Sequence, residues 1–126
     1  MTRLRPVSLV LLCVLSSACD HDEPVFCTAE VVPSVRVEVV DGQGKPRDAR
    51  VTFTLNGGPP QQALCQGKHP TQPDTCANWV AGQEAAGEIV VTAASPRSSS
   101  TASHQLLITR GECHVRTQEL TLVLLD

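Results

Sequence analysis

Residues 34–55 read SVRVEVVDGQGKPRDARVTFTL, and this stretch decides the fold class of the chain. Apolar and polar side chains alternate in 34–40 and again in 49–55, which is the two-residue period of a half-buried β-strand. The intervening residues 41–48 contain two glycines and a proline, the residue types that tight turns use. The stretch therefore predicts two strands joined as a β-hairpin, to which later segments add further strands.

Five further segments have strand patterns and are separated by turn residues. They cover residues 61–65, 77–81, 88–94, 103–109 and 113–126. In the last segment the apolar positions switch from odd to even numbers, so we expect a β-bulge near residues 117–119. No segment after residue 18 has the apolar spacing of an amphipathic helix. Residues 34–126 are therefore expected to form one all-β domain, a seven-stranded antiparallel β-sandwich.

The first 18 residues have the pattern of a secretory signal. Arg3 and Arg5 precede the apolar run 7–15, which is too short to span a bilayer comfortably, and small residues follow it. Residues 15–19, LSSAC, resemble the lipobox of bacterial lipoproteins. This resemblance implies a lipoprotein signal peptide over 1–18 that is removed before Cys19, and lipidation of Cys19. Ordinary cleavage without a lipid and a retained membrane anchor are the alternatives.

Residues 19–33 are expected to be a lipidated N-terminus and tether. The sequence DHDEP at 20–24 is charged and ends in proline, which suits a linker that separates the domain from a membrane. A cation site is the alternative function of these acidic residues, although no scaffold fixes their geometry. The expected location is the bacterial cell envelope, with the lipid in a membrane on the periplasmic or outer-membrane surface. The sequence leaves the choice of membrane open.

The charge of the chain argues against two classes of partner. Removing residues 1–18 leaves eight basic residues against thirteen acidic residues, a net charge of about −5 with neutral histidines. An acidic domain with so few cations is a poor candidate for binding nucleic acid. It also has no basic patch for anionic lipids, so membrane attachment is expected to depend on the acyl chains alone.

Four cysteines remain after Cys19, and an even number in a secreted domain predicts disulfides. We favour Cys65 with Cys76, which would close a short loop without apolar side chains, and Cys27 with Cys113, which would tie the first strand to the corner before the last. The two bridges have model values of about 2–3 and about 4–5 kcal/mol. Zinc binding is the alternative, but the spacings contain no Cys-x-x-Cys.

The sequence contains no recognisable catalytic, metal or cofactor site. Its four histidines never lie within metal-ligand spacing on one element, and there is no Gly-x-Ser-x-Gly elbow. We interpret His114 as an outward residue on a strand. Trp79, the only tryptophan, is expected to fill the core rather than to form an exposed binding platform. We therefore do not expect an enzyme.

Several segments resemble the carboxypeptidase regulatory-like domain of prealbumin topology. They are VEVVDGQGKP at 37–46, ARV at 49–51, WVAG at 79–82 and GEIVVTA at 87–93. The ending TRGECHV at 109–115 also resembles small bacterial lipoproteins that carry this domain. The resemblance implies a transthyretin-like, or more broadly immunoglobulin-like, sandwich that acts as a non-catalytic accessory or interaction domain.

Two functions follow as hypotheses. The first is a membrane-anchored lipoprotein whose sandwich is a structural or protein-interaction module with an unidentified protein partner. The second is a small-ligand carrier or a protease-inhibitor-like module that uses the loop between Cys65 and Cys76. An apolar pocket between the sheets would favour a carrier, and a rigid protruding loop would favour an inhibitor. The oligomeric state is left open.

Overall fold

The computed structural model describes residues 24–67 and 76–125. The signal peptide predicted for 1–18 and the lipid site predicted at Cys19 lie outside these residues, as does most of the loop between Cys65 and Cys76. The described part of the chain is all-β and forms eight strands. They are β1 (Pro33–Val40), β2 (Arg50–Leu55), β3 (Gln61–Gln62), β4 (Leu64–Cys65), β5 (Asn78–Gln83), β6 (Gly87–Ala94), β7 (Thr101–Ile108) and β8 (Gln118–Val123).

The strands form two four-stranded sheets, in the orders β4-β5-β1-β8 and β3-β2-β6-β7. The all-β, two-sheet prediction is confirmed, but the count of seven strands is not. The predicted strand 61–65 divides at Ala63, so that β3 pairs with β2 in one sheet and β4 pairs with β5 in the other. Ala63 is buried, and its N–H donates to the carbonyl of Val51 at 3.0 Å. One short segment therefore joins the two sheets along one side.

The predicted hairpin between the first two strands is wrong. β1 pairs with β5 and β8, whereas β2 pairs with β3 and β6 in the opposite sheet. The connection does begin as a tight turn, because the Asp41 carboxylate accepts hydrogen bonds from the N–H groups of Gln43 and Lys45. It then crosses the sandwich, and Ala49 N–H donates to the carbonyl of Cys76. Alternating residues show which face of a strand is buried but not which strand lies beside it.

The last strand also differs from the prediction. β8 lies parallel to β1, with Val35 opposite Gln118 and Val40 opposite Val123. A fully antiparallel sandwich is therefore wrong. The parity switch does not arise from a bulge, because Val115 forms an isolated bridge with Arg110 before the strand begins. Since β7 belongs to the other sheet, the chain crosses between sheets here and can enter β8 in either direction.

The core lies between the two sheets and consists mainly of alternate aliphatic residues from β1, β2, β5 and β6. The largest buried side chain is Trp79, which is 2% exposed and whose Nε1 donates to the carbonyl of Cys76 at 2.6 Å. The prediction that Trp79 fills the core is confirmed. The indole supplies much of the buried aromatic area, and its only polar atom is satisfied within the core.

The strand registers define two ends of the sandwich. Pro33, at the start of β1, lies opposite Gln83, and β8 starts two residues further along, where Gln118 lies opposite Val35. We call this the arm end; it comprises the N-terminal arm 24–32, the turns 56–60 and 84–86 and the segment 109–117. The opposite end carries the connections 41–49 and 95–100, the bridge between Cys65 and Cys76, and residues 124–125, and we call it the loop end. Eight residues of β1 separate the two ends by about 25 Å.

Candidate functional site

Glu84 connects three parts of the arm end. It lies in the turn after β5 with a φ of 50°, in the left-handed region that few non-glycine residues adopt. Its carboxylate accepts the N–H of Val32 at 3.0 Å and the N–H of Val115 at 3.3 Å. Its own N–H donates to the carbonyl of Val32 at 2.9 Å. One side chain thus holds the arm and the segment before β8 against the turn.

His114 extends this network to the arm. Its Nδ1 lies 2.5 Å from Glu84 Oε1, and its Nε2 lies 3.0 Å from Thr28 Oγ1. Because an ionised carboxylate only accepts, Nδ1 carries the proton toward Glu84, and in the neutral ring Nε2 accepts from the Thr28 hydroxyl. We call Thr28, Val32, Glu84 and His114 the arm clasp. The interpretation of His114 as an outward strand residue is wrong, since it precedes β8 and turns toward Glu84.

The surroundings of Glu84 favour its ionised form. Partial burial raises the pKa of Glu84, but the hydrogen bonds from Val32 N–H, His114 and Val115 N–H lower it by more. The net result is a pKa below the ordinary value of a glutamate. The clasp is therefore formed at neutral pH by an ionised carboxylate.

The order hydroxyl, imidazole, carboxylate in Thr28, His114 and Glu84 is the connectivity of a nucleophile, a base and an orienting acid. These residues do not line the clefts around Arg47 or around Arg36 that are described below. The Glu84 carboxylate is also used to bind two main-chain N–H groups. We therefore interpret the clasp as a structural device that fixes the arm.

Both disulfides favoured from the sequence are present in the structure. Cys27 is bonded to Cys113 with a Cα–Cα distance of 5.1 Å, and Cys65 is bonded to Cys76 with a distance of 6.0 Å. The first bridge lies at the arm end, beside the clasp, so the arm is held by a covalent bond as well as by hydrogen bonds. The second closes a loop at the loop end. The lipidation site predicted at Cys19 lies outside the described residues.

Arg47 organises the loop end. Its guanidinium donates to the carbonyl of Leu124 at 3.0 Å and to the Ser95 hydroxyl at 3.1 Å. That hydroxyl also accepts the N–H groups of Arg97 and Ser98 within its own loop. The connection after β1, the connection after β6 and the last residues of the described chain are consequently joined by one side chain.

A cleft of about 380 Å³ opens among these connections. It is lined by Asp41, Pro46, Arg47, Asp48, Pro96 and Arg97. Hydrogen bonds from the N–H groups of Lys45 and Gln43 hold the pKa of Asp41 below its usual value. The cleft therefore presents both carboxylate and guanidinium groups to solvent. A second cleft of about 380 Å³ adjoins it through Asp41 and Arg47 and extends to Leu125.

A third cleft lies on the outer face of the first sheet. It has a volume of about 360 Å³ and is lined by Arg36, Val37, Glu38, Gln66, Asn78, Trp79 and Glu119. Arg36 and Glu119, from neighbouring strands, form an exposed ion pair at 3.5 Å. These clefts are open and predominantly polar. They lack the enclosed apolar lining that a carrier of small apolar molecules needs.

Within residues 24–67 and 76–125, no group of three or more histidine, cysteine or acidic side chains is arranged to hold a metal ion. The same residues include no helix that could cross a membrane. Comparison of the chain with models of protein families, with curated proteins and with solved structures found no match.

Sequence reasoning located the disulfides but missed the two residues that organise the ends of the sandwich. Glu84 and Arg47 each bind groups far away in the chain, with separations of 30 residues to His114 and 77 residues to Leu124. In the sequence both lie in polar turns, where a charged residue is expected to be solvated. No local pattern distinguishes them from other turn residues.

Proposed function

We propose that the protein is an exported lipoprotein, anchored to a membrane through Cys19, whose β-sandwich is a non-catalytic structural or protein-interaction module. The observation that carries this proposal is the difference between the two ends of the sandwich. The chain enters at the arm end, where the arm is held by a disulfide and by the clasp. The connections 41–49 and 95–100, the Cys65–Cys76 bridge and the last described residues lie at the opposite end.

This difference between the ends suits a domain that is attached to a membrane at the arm end and exposes the loop end to a partner. With a lipid on Cys19, the arm end faces the membrane and the loop end is about 25 Å further away. Loops at the free end of a sandwich are a common place for recognition, because a rigid scaffold holds irregular segments whose side chains face solvent. The cleft around Arg47 and Arg97 then becomes the surface that we assign to a protein partner.

The similarity of several segments to the carboxypeptidase regulatory-like domain is part of the same proposal. Such a domain is an accessory module, in agreement with our interpretation of the arm clasp as structural. Two disulfides further agree with an oxidising compartment, such as the space outside the cytoplasmic membrane.

The first test concerns the anchor. We expect the wild-type protein to be found with membranes and to require detergent for release. The Cys19→Ser variant, exported on an ordinary secretory signal in place of residues 1–18, lacks the lipid acceptor and keeps no apolar signal, so it is expected in the soluble envelope fraction. Equal membrane association of the two proteins would contradict the proposal.

The second test concerns the free end. A photo-crosslinking amino acid at position 97, in the cleft of the loop end, is expected to capture a specific partner in intact cells. The matched control places the same amino acid at Glu88, which is exposed on β6. A crosslinked species specific to position 97 supports recognition by the loop end. The same products from both positions, or none from position 97, would contradict it.

A protease-inhibitor-like module is a second candidate, because the disulfide between Cys65 and Cys76 closes a loop of ten residues at the same free end. Inhibition of a panel of serine and cysteine proteases by the purified protein distinguishes this candidate. An inhibitor would lose its effect in the Cys65→Ser/Cys76→Ser variant, whereas an interaction module would inhibit none of the proteases.

A further inference from the structure

We propose that the N-terminal arm is itself a membrane contact, in which Val25, Phe26 and Val31 rest in the boundary between lipid headgroups and acyl chains. This inference rests on the proposed lipid anchor. It adds a surface of the folded domain that touches the bilayer and so fixes how the domain stands on it.

The arm exposes apolar side chains that the sandwich does not use. Phe26 is 88% exposed, Val25 is 57% exposed and Val31 is 61% exposed. The chain has one other phenylalanine, Phe53, which is 8% exposed within the core. Single exposed apolar residues are common, but here three lie within seven consecutive residues of one irregular segment, and we call them the apolar surface of the arm.

The arm is fixed on the domain, so these side chains do not belong to a free tail. Cys27, next to Phe26, is bonded to Cys113, and Thr28 is hydrogen-bonded to His114. Val32 exchanges hydrogen bonds with Glu84. The apolar surface is therefore held at the arm end.

The length of chain before the arm indicates what this surface contacts. Phe26 follows the proposed lipid site by seven residues, and seven residues span at most about 25 Å when fully extended. Any less extended path brings Phe26 closer. The arm end therefore cannot move far from the bilayer that holds the lipid, and the bilayer is present at high effective concentration.

The charges near the arm make a neutral bilayer the expected partner. The tether contributes Asp20, Asp22 and Glu23, which disfavour attraction to anionic lipids. Apolar side chains that enter the interface do not require such attraction, because they gain by leaving water. The contact is thus expected on phosphatidylcholine membranes and should not weaken with salt.

The experiment uses the full lipidated protein in phosphatidylcholine vesicles that carry brominated acyl chains, which quench nearby tryptophan fluorescence. In the wild type the only tryptophan is Trp79, which is buried in the core and provides the baseline. Phe26→Trp places a reporter in the arm. Leu125→Trp is the matched control, because Leu125 is 68% exposed at the loop end. Vesicle flotation and circular dichroism establish anchoring and folding for each protein.

We expect brominated lipid to reduce the emission of Phe26→Trp, relative to the same variant in unbrominated vesicles, by a larger fraction than it reduces that of wild type, and to leave Leu125→Trp at its own value in unbrominated vesicles. If the proteins float but position 26 is not quenched more than position 125, the membrane contact is overturned while the anchor stands. If the wild type does not float, the anchor and the contact both fail. A third outcome concerns the protein without vesicles. If the tryptophan at position 26 becomes less accessible to quenching by iodide as the protein concentration rises, the surface contacts a second copy of the chain, and the proposal is also overturned.

Discussion

Replacing Cys27 and Cys113 together with serine removes the bridge between the arm and the segment before β8. The bridge closes a loop with a sequence separation of 86, whereas that of the Cys65–Cys76 bridge is 11. If a disulfide acts mainly by restricting the unfolded chain, the long bridge stabilises by about 4–5 kcal/mol and the short one by about 2–3 kcal/mol. A domain of this size has a free energy of unfolding of about 5–15 kcal/mol. Loss of the long bridge should therefore be the more damaging change.

Urea unfolding followed by Trp79 fluorescence measures both effects, because the indole is buried in the fold and becomes exposed on unfolding. With a urea dependence of about 1.5 kcal/mol per molar, the midpoint should fall by about 3 M without the long bridge and by about 1.5–2 M without the short one. Circular dichroism before unfolding checks that each double variant is folded. The reasoning is refuted if removal of the Cys65–Cys76 bridge costs as much as, or more than, removal of the Cys27–Cys113 bridge.

Three further predictions concern single residues. Glu84 has a lowered pKa in the folded state, so its contribution to stability is present above the ordinary glutamate pKa and is lost as the pH falls through the folded pKa. In urea unfolding, Glu84→Gln should therefore lose more stability at pH 7 than at pH 3. The exposed control Glu88→Gln should change little at pH 7. Equal losses for Glu84→Gln at both pH values would count against the clasp. Trp79→Ala should lower the free energy of unfolding by about 3–5 kcal/mol, measured by circular dichroism, because it leaves a cavity in the core; a loss under 1 kcal/mol would be inconsistent with the packing. Gly82→Ala should destabilise the protein more than Gly44→Ala in thermal unfolding. Both glycines have positive φ, but only a Cβ at position 82 meets a side chain, that of Ser34 at 3.2 Å. The reverse order would show that crowding at position 82 is unimportant.

Residue periodicity was sufficient to predict which faces of the strands are buried. Val35, Val37 and Val39 are core residues, as their alternation with charged residues indicates, and so are Ile89 and Val91. The absence of helical spacing also predicted an all-β chain, and all described elements are strands. These features depend on local sequence, because the period of a strand is fixed by its own backbone.

The arrangement of the strands was not predictable in the same way. Both strands of the proposed hairpin have one apolar face, and this pattern is satisfied equally by neighbours in one sheet and by facing strands in two sheets. The crossing depends on contacts such as Ala49 with Cys76, which lie far apart in the chain. Likewise, the division of 61–65 depends on Ala63 turning into the core between the two sheets.

The candidate sites show the same limit. Cysteine pairing was accessible because few pairings exist and loop composition favoured one of them. His114 was misinterpreted because its neighbours in sequence suggest a strand, while its orientation depends on Glu84 and Thr28. Polar networks of this kind are formed by side chains from different turns, so they become visible only when the turns are placed in space.

The central claim is that the domain is attached by a lipid at Cys19 and held together by two internal disulfides. Intact mass spectrometry of the protein purified from membranes, with and without reductant and thiol alkylation, tests it most directly. The account predicts the mass of a chain that starts at Cys19 plus a diacylglyceryl group and any further acyl chain, with four additional thiols alkylated after reduction. The unmodified mass of the full chain, or of a chain from Cys19 without lipid, would contradict it.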